Sequence, residues 1–297
     1  MKTLLTLTKR NIKIYFKDKG MFLVSLITPI ILLILYVTFL GNIYKTAFTQ
    51  NTPPNFILDE NIINGIVGGQ LISSILATSC VTISFCSNMI MVQDKFTGAI
   101  KDLLISPVKK STLALSYFFA SLFSALIVCY FTTALCLVYI AIVGWYLTFL
   151  DVVLILLDVL LLCLFGTCLS SIIYFFLKTQ GQMSAVGSIV SSTYGFICGA
   201  YMPMSNFPEG LRNVLSLLPG TYGTVLLRNH AMSSALTKLN YPADVLEKIK
   251  YTIDLNINFF GTSVNLSSMY VYIILTIVVL LGTYVFMNII RKNKVKK

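Results

Sequence analysis

The chain has 297 residues, 57% of them hydrophobic and only 11% charged, with 22 Lys and Arg against 11 Asp and Glu for a formal net charge of +11. Its mean hydropathy is +0.84. Soluble domains run about 25% charged, and a water-exposed surface could not hide this much apolar side chain, so an ordinary soluble enzyme, a disordered chain and a secreted disulfide scaffold are excluded.

Residues 1–19 hold six basic residues and one acid. Leu4, Leu7, Ile12, Tyr15 and Phe16 lie among Lys9, Arg10, Lys13 and Lys17, a composition that predicts a helix lying in the membrane interface. A bilayer core about 30 Å thick needs about 20 apolar residues in helical form, and six stretches qualify: 21–40, 66–92, 112–143, 152–177, 183–201 and 270–290. The first carries Pro29, which removes a backbone hydrogen bond and should kink it. The fourth carries one charge, Asp158, which either reaches water two turns in or marks a functional position. The expected fold is an all-α integral membrane protein whose whole length, 1–297, forms one transmembrane domain.

With an even number of spans both termini share a side. The segments on that side, 1–19, 93–111, 178–182 and 291–297, carry net charges of +5, +2, +1 and +5. The opposite segments, 41–65, 144–151 and 202–269, carry −1, −1 and +1. The asymmetry predicts cytoplasmic termini and explains the basic excess without nucleic acid.

The loop after the second span predicts a short amphipathic helix over 94–107. Asp94 and Thr97 can cap its start, Phe96, Ile100, Leu103 and Leu104 fall at helical spacing, Gly98 permits close approach of another backbone, Lys101 and Asp102 are polar, and Pro107 stops the helix. It is either a solvated loop on the inner leaflet or a rigid handle for a soluble partner.

Small residues recur every fourth position at Gly65, Gly69, Ser73 and Ala77, and again at Gly187, Ser191, Gly195 and Gly199. Such stripes let helix backbones approach in lipid. They serve packing within one subunit, or a subunit seam or substrate path to which Phe85, Asn88, Thr193, Tyr194 and Phe196 would add aromatic and polar contacts. In 202–269, the run through Pro203, Phe207 and Pro208 breaks the fifth span, Glu209–Leu218 suits a short helix, and Pro219-Gly220 turns the chain again. This unit is apolar enough to dip back into the membrane. Pro242–Asp254 reads as an external amphipathic helix with Asp244 and Lys248 paired.

The seven cysteines all fall in spans without a C-x-x-C and are read as small apolar residues. The one histidine, His230, has no cluster around it suited to zinc, and no nucleophile–base set is evident. No G-x-x-x-x-G-K-[ST] occurs. The expectation is a chain with no catalytic residues, metal or cofactor of its own.

Six spans, the sequence DKFTGAIKDLLISPVKKS after the second, and GAYMPMSNFPEGLRNVLSLLPGTYG after the fifth resemble the permease subunit of type-2 ABC exporters. The resemblance rests on Asp94-Lys95, Gly98, Leu103-Leu104 and Ser106-Pro107 in the first loop, and on Pro203, Phe207-Pro208 and Leu218-Pro219 in the second. Lys101-Asp102 stands where many members have Leu-Glu. The resemblance implies a bacterial plasma-membrane permease that forms a dimer, most simply of two copies of this chain, embedded in lipid. It implies two copies of a separate subunit that binds ATP and Mg. It further implies that the N-terminal helix and 94–107 contact that subunit, that the second and fifth spans line the seam, and that an amphiphilic small molecule or drug is exported. Lipid-linked glycan or antimicrobial peptide is an alternative cargo. The alternative class is a secondary transporter or channel working without ATP, which would show ionisable groups at the midplane.

Overall fold

The computed structural model describes residues 2–42, 45–46, 59–106, 108–239 and 241–294. Among these are eleven α-helices: α1 (Lys2–Lys17), α2 (Lys19–Leu35), α3 (Glu60–Phe96), α4 (Ala99–Ile105), α5 (Lys110–Val143), α6 (Phe149–Phe176), α7 (Gln180–Ile197), α8 (Glu209–Leu215), α9 (Pro219–Thr237), α10 (Ala243–Thr252) and α11 (Leu266–Lys294). A π-helical turn, Tyr36–Leu40, extends α2, and a two-residue antiparallel ladder pairs Asn258–Phe259 with Thr262–Ser263. The chain is an all-α integral membrane protein.

Each of the six predicted spans coincides with a helix. Five of these, α2, α3, α5, α6 and α11, are long and apolar enough to cross a bilayer. The sixth, α7, has 18 residues and carries Gln180, Gln182 and five Ser or Thr, so it is the least apolar of the set. Local chemistry explains the boundaries. Asp18 separates α1 from α2 by accepting a hydrogen bond from the Met21 amide (3.1 Å). Thr148 with Asp151, and Thr179 with Gln182, form capping boxes at the starts of α6 and α7.

The bundle is organised around α3. This 37-residue helix is buried along nearly its whole length and packs against α2, α5, α6, α7 and α9. Between helices in lipid there is no hydrophobic drive, so close packing needs small residues and internally satisfied hydroxyls. Both are present. A Cβ added at Gly69 would lie 2.6 Å from the Ala231 carbonyl oxygen of α9. The hydroxyls of Thr78, Thr82 and Ser84 donate to the carbonyls of Ser74, Thr78 and Cys80 in their own helix. Asn88 is saturated: its amide donates to the hydroxyls of Ser170 (3.0 Å) and Ser171 (2.9 Å) and accepts from Ser121 (3.0 Å), joining α3 to α5 and α6. By contrast α2 and α11 expose most of their apolar side chains, including Leu23, Ile34, Val278 and Phe286, as helices facing lipid must.

Three expectations change. The predicted 94–107 helix is two pieces, because α3 continues through Phe96 and the chain breaks at Thr97-Gly98 before α4. Gly98 sits in the left-handed region (φ 86°) at the start of α4, a conformation a Cβ disfavours. Pro107 lies outside the described residues. Second, 202–269 is not wholly an external segment: the 19-residue α9 is buried against α3 and α6. Its Gly223 packs on Leu162, about 20 Å along α6 from Phe149 at 1.5 Å per residue. The short helix begun at Glu209 ends at Leu215 rather than Leu218, and Pro219 starts α9 instead of merely turning the chain. Third, α1 is not only interfacial: Thr8, Asn11 and Tyr15 are buried, α1 packs on α5, and the Tyr15 hydroxyl donates to Ser25 (2.8 Å).

These contacts set opposite outcomes for two Gly→Ala substitutions. Gly69→Ala should lower the thermal midpoint in detergent, because the added methyl meets α9 backbone. Gly282→Ala meets nothing within 4 Å and should be neutral or gain about 0.5–1 kcal/mol from the helix preference of alanine over glycine. Equal midpoints for the two variants would contradict the α3–α9 packing.

Candidate functional site

Buried clusters of charged and polar side chains gather toward the two ends of α3. At the basic end, Asp94 is buried (7% exposed). It accepts hydrogen bonds from Arg10 Nη1 (2.7 Å) and from the Tyr117 hydroxyl (2.5 Å), so α1, α3 and α5 meet on one carboxylate. The Asp94 contact holds the Arg10 guanidinium above its already high range. The next residue, Lys95, turns the other way: its Nζ donates to the carbonyls of Tyr174 (2.7 Å), Phe175 (3.1 Å) and Leu177 (3.2 Å). These are the open carbonyls at the end of α6, where a cation is favoured.

Asp94 and Lys95 therefore brace the helix below rather than face outward. What faces outward lies just beyond them. Phe96, Thr97, Lys101 and Asp102 are exposed, Gly98 and Ile100 are half-buried, and Ile105 is 84% exposed. The Leu104 side chain lies outside the described set. The result is a short helix with a free apolar and polar surface, tethered at both ends to long bundle helices.

At the opposite end, α9 brings together residues far apart in sequence. Asp158, 1% exposed on α6, does not reach water. One carboxylate oxygen lies 2.6 Å from His230 Nδ1 on α9, and the other accepts from the Tyr270 hydroxyl on α11 (2.7 Å). One turn outward, Ser234 donates to Asp151 (2.5 Å). Arg228, also on α9, is fully buried. It donates to Asp254 (3.2 Å) and to the Gly199 carbonyl (2.5 Å), and its Nε lies 3.2 Å from the Gln70 amide oxygen on α3 in the orientation that satisfies both groups. Asp254 also accepts from the amides of Met204 and Ser205. Burial pushes the Asp254 carboxyl up, while Arg228 and the two amides pull it down. The turn marked by Pro203, Phe207 and Pro208 is thus pinned to α9 through Asp254.

Sequence reasoning treated Asp158 and His230 singly, did not name Arg228, and gave Asp254 only as the end of an external helix. A charge inside an apolar span requires a partner, and that demand was the available signal.

The stripe residues separate by location. Gly69, Ser73, Ala77, Phe85 and Asn88 are all buried within this chain, with Phe85 set edge-on to Tyr174 at 5.6 Å, so their side chains present no surface to another copy. On α7, Gly187 packs on Met89 and Gly195 on the Tyr201 ring. Tyr194 is buried against Gly220 at the start of α9, and Gly199 forms a left-handed turn (φ 72°). The open side of α7 is a different set: Ser184, Ser188, Ser192, Thr193 and Phe196 are exposed, with Ser191 half-buried.

Breaking either buried charge cluster should be costly. Removing one partner of a buried ion pair costs about 3–5 kcal/mol, so Arg228→Met should sharply lower the thermal midpoint, and Arg228→Met with Asp254→Leu should recover part of it. No recovery in the double variant would contradict the pairing. At the basic end, Lys95→Met should raise hydrogen exchange at the end of α6 and in 97–106 while leaving the start of α6 protected.

The chain matches the family described as ABC-2 type transporter over residues 2–231. No curated protein and no solved structure matches it. The match begins with α1, takes in the braced loop at the basic end, and runs through the buried α9 as far as Ala231. It covers more than three quarters of the sequence, and the chain is therefore a member of the ABC-2 type transporter family, a membrane component of an ABC transporter that works with an ATP-binding subunit.

Proposed function

We propose that this chain is the membrane-spanning subunit of an exporter that moves an amphiphilic small molecule or drug across a bacterial plasma membrane, driven by ATP hydrolysis on two copies of a separate subunit. One observation carries the reading most: α4, with Ile105 84% exposed, is suspended beyond the ends of α3 and α5, and its base is braced by Arg10, Asp94, Tyr117 and Lys95. A partner pressing on α4 would move α3 and α5 together. ATP and Mg would bind the partner, and catalysis would reside there. The positive-inside rule places the basic end and both termini in the cytoplasm.

A second copy of this chain fits the open face of α7. A helix that presents Ser184, Ser188, Ser192 and Thr193 beside the exposed apolar Ile189 and Phe196 offers the mixed surface that an amphipathic passage between two copies needs. An ATP-independent carrier is less well supported, because the ionisable groups at membrane depth are paired within the chain.

The test is co-expression with candidate ATP-binding subunits, purification and hydrolysis in nanodiscs. Lys101→Glu with Ile105→Asp, both at exposed side chains of α4, should abolish co-purification or reduce substrate-stimulated hydrolysis by about tenfold or more, while the chain still inserts and melts normally. Full stimulation by the double variant would remove α4 as the coupling element and leave α1 as the leading candidate. Labelling of single cysteines in a background without native ones should find Lys109 accessible from the cytoplasm and Lys248 from outside, and the reverse result would invert the topology. Ser192→Phe should impair transport without impairing expression if α7 lines the passage.

A further inference from the structure

Three cysteines that sequence alone treats as separate small apolar residues converge in the middle of the bundle. Cys80 lies at the centre of α3, Cys129 at the centre of α5 and Cys163 at the centre of α6, and their sulfur atoms all lie within 4.8 Å of one another. Each is 0% exposed and none is in a disulfide. The three helices pack on one another in pairs, so the thiols fill the point where all three meet.

We propose that Cys80, Cys129 and Cys163 form a three-thiol binding site for a trivalent metalloid, of which arsenite is the representative. Two physical requirements select this ligand. The first is geometry. Bonds of about 2.3 Å from sulfur to a central atom place three sulfurs about 4 Å apart in a trigonal plane and closer in a pyramid, within the observed spacing. The second is charge. Three thiolates around a monovalent ion leave two negative charges, and around a divalent ion one. Uncompensated charge in the middle of a membrane protein is strongly disfavoured. Around a trivalent centre the sum is zero.

The reaction needs neither oxidant nor reductant. Arsenite, As(OH)3, meets three S–H groups. Three As–O and three S–H bonds break, three As–S bonds form, and each hydroxide leaves with one thiol proton as water. The oxidation state of arsenic does not change. Entry of the small neutral hydroxide requires only local opening of the helix packing. The product would fasten α3, α5 and α6 together at the bilayer midplane, so any transport step that separates these helices would stop.

The test uses the reduced full-length chain in nanodiscs, titrated with arsenite. Intact-mass spectrometry should show one arsenic gained and three protons lost, and alkylation after unfolding should find Cys80, Cys129 and Cys163 protected among the seven cysteines. A variant in which Cys86, Cys136, Cys168 and Cys198 are alanine should bind equally. In that background any one of Cys80→Ala, Cys129→Ala or Cys163→Ala should weaken binding by about tenfold or more, equivalent to 1.4 kcal/mol. Protection of a different set of cysteines would overturn the assignment, as would unchanged binding in Cys129→Ala. Because the protection map is read on the unaltered chain, it stands even if a variant fails to fold. Tighter binding of cadmium than of arsenite at the same pH would overturn the charge argument.

Discussion

Close packing of α3 against its neighbours is the constraint on which the rest of this structure depends. A 37-residue helix surrounded by five others cannot be stabilised by hydrophobic transfer once it is in lipid. It has to gain dispersion contacts and lose no hydrogen bonds. Its sequence meets the first condition and most of the second. Glycine, alanine, serine and cysteine bring the backbones together, and most hydroxyls turn back onto carbonyls of α3 or across to α6 at Cys163 (3.2 Å) and α5 at Ser121 (3.0 Å), with the buried Ser74 and Ser79 hydroxyls left unpaired. Polar residues that would be costly in an exposed span become neutral fillers here.

The same helix carries the chemistry at its ends. At one end Asp94 and Lys95 are adjacent in sequence yet point to different neighbours, Asp94 to Arg10 and Tyr117 and Lys95 to the open carbonyls of α6. That arrangement converts a pair of charges into a rigid base for α4. At the other end Gln70 and Gly69 receive α9, of whose polar residues Arg228, His230 and Ser234 each find a carboxylate. These partners explain how α9 can hold an arginine and a histidine in the interior: every charge has an opposite charge or several dipoles within hydrogen-bond distance. The two ends are linked through one continuous helix, α3, which joins the braced base of α4 to α9.

Much of this was legible in the residues. Composition placed the chain in a membrane, and apolar length located its long helices, five of them able to cross a bilayer, to within a few residues at most ends. The loop motifs pointed to the family. These features could be read because each depends on local sequence: about 20 apolar residues span a bilayer wherever they pack, and the Lys and Arg bias acts segment by segment.

Other features depended on which helices meet. A fourfold stripe of small residues says that something approaches closely, and only the tertiary structure decided that the α3 stripe faces α9 and its own bundle while the open face of α7 carries serines. Residues 219–237 fell within the segment read as external or re-entrant, and they pack inside the bundle because Asp254, Leu255 and Asp158 arrive from elsewhere to pair with Arg228, Asn229 and His230. The three central cysteines stand 49 and 34 positions apart in the chain, and no local pattern could bring them together. Membrane character and family are properties of segments, which the sequence determines by itself. Partners for buried charges, thiols and glycines are properties of pairs distant in the chain, and those exist only once the helices have packed.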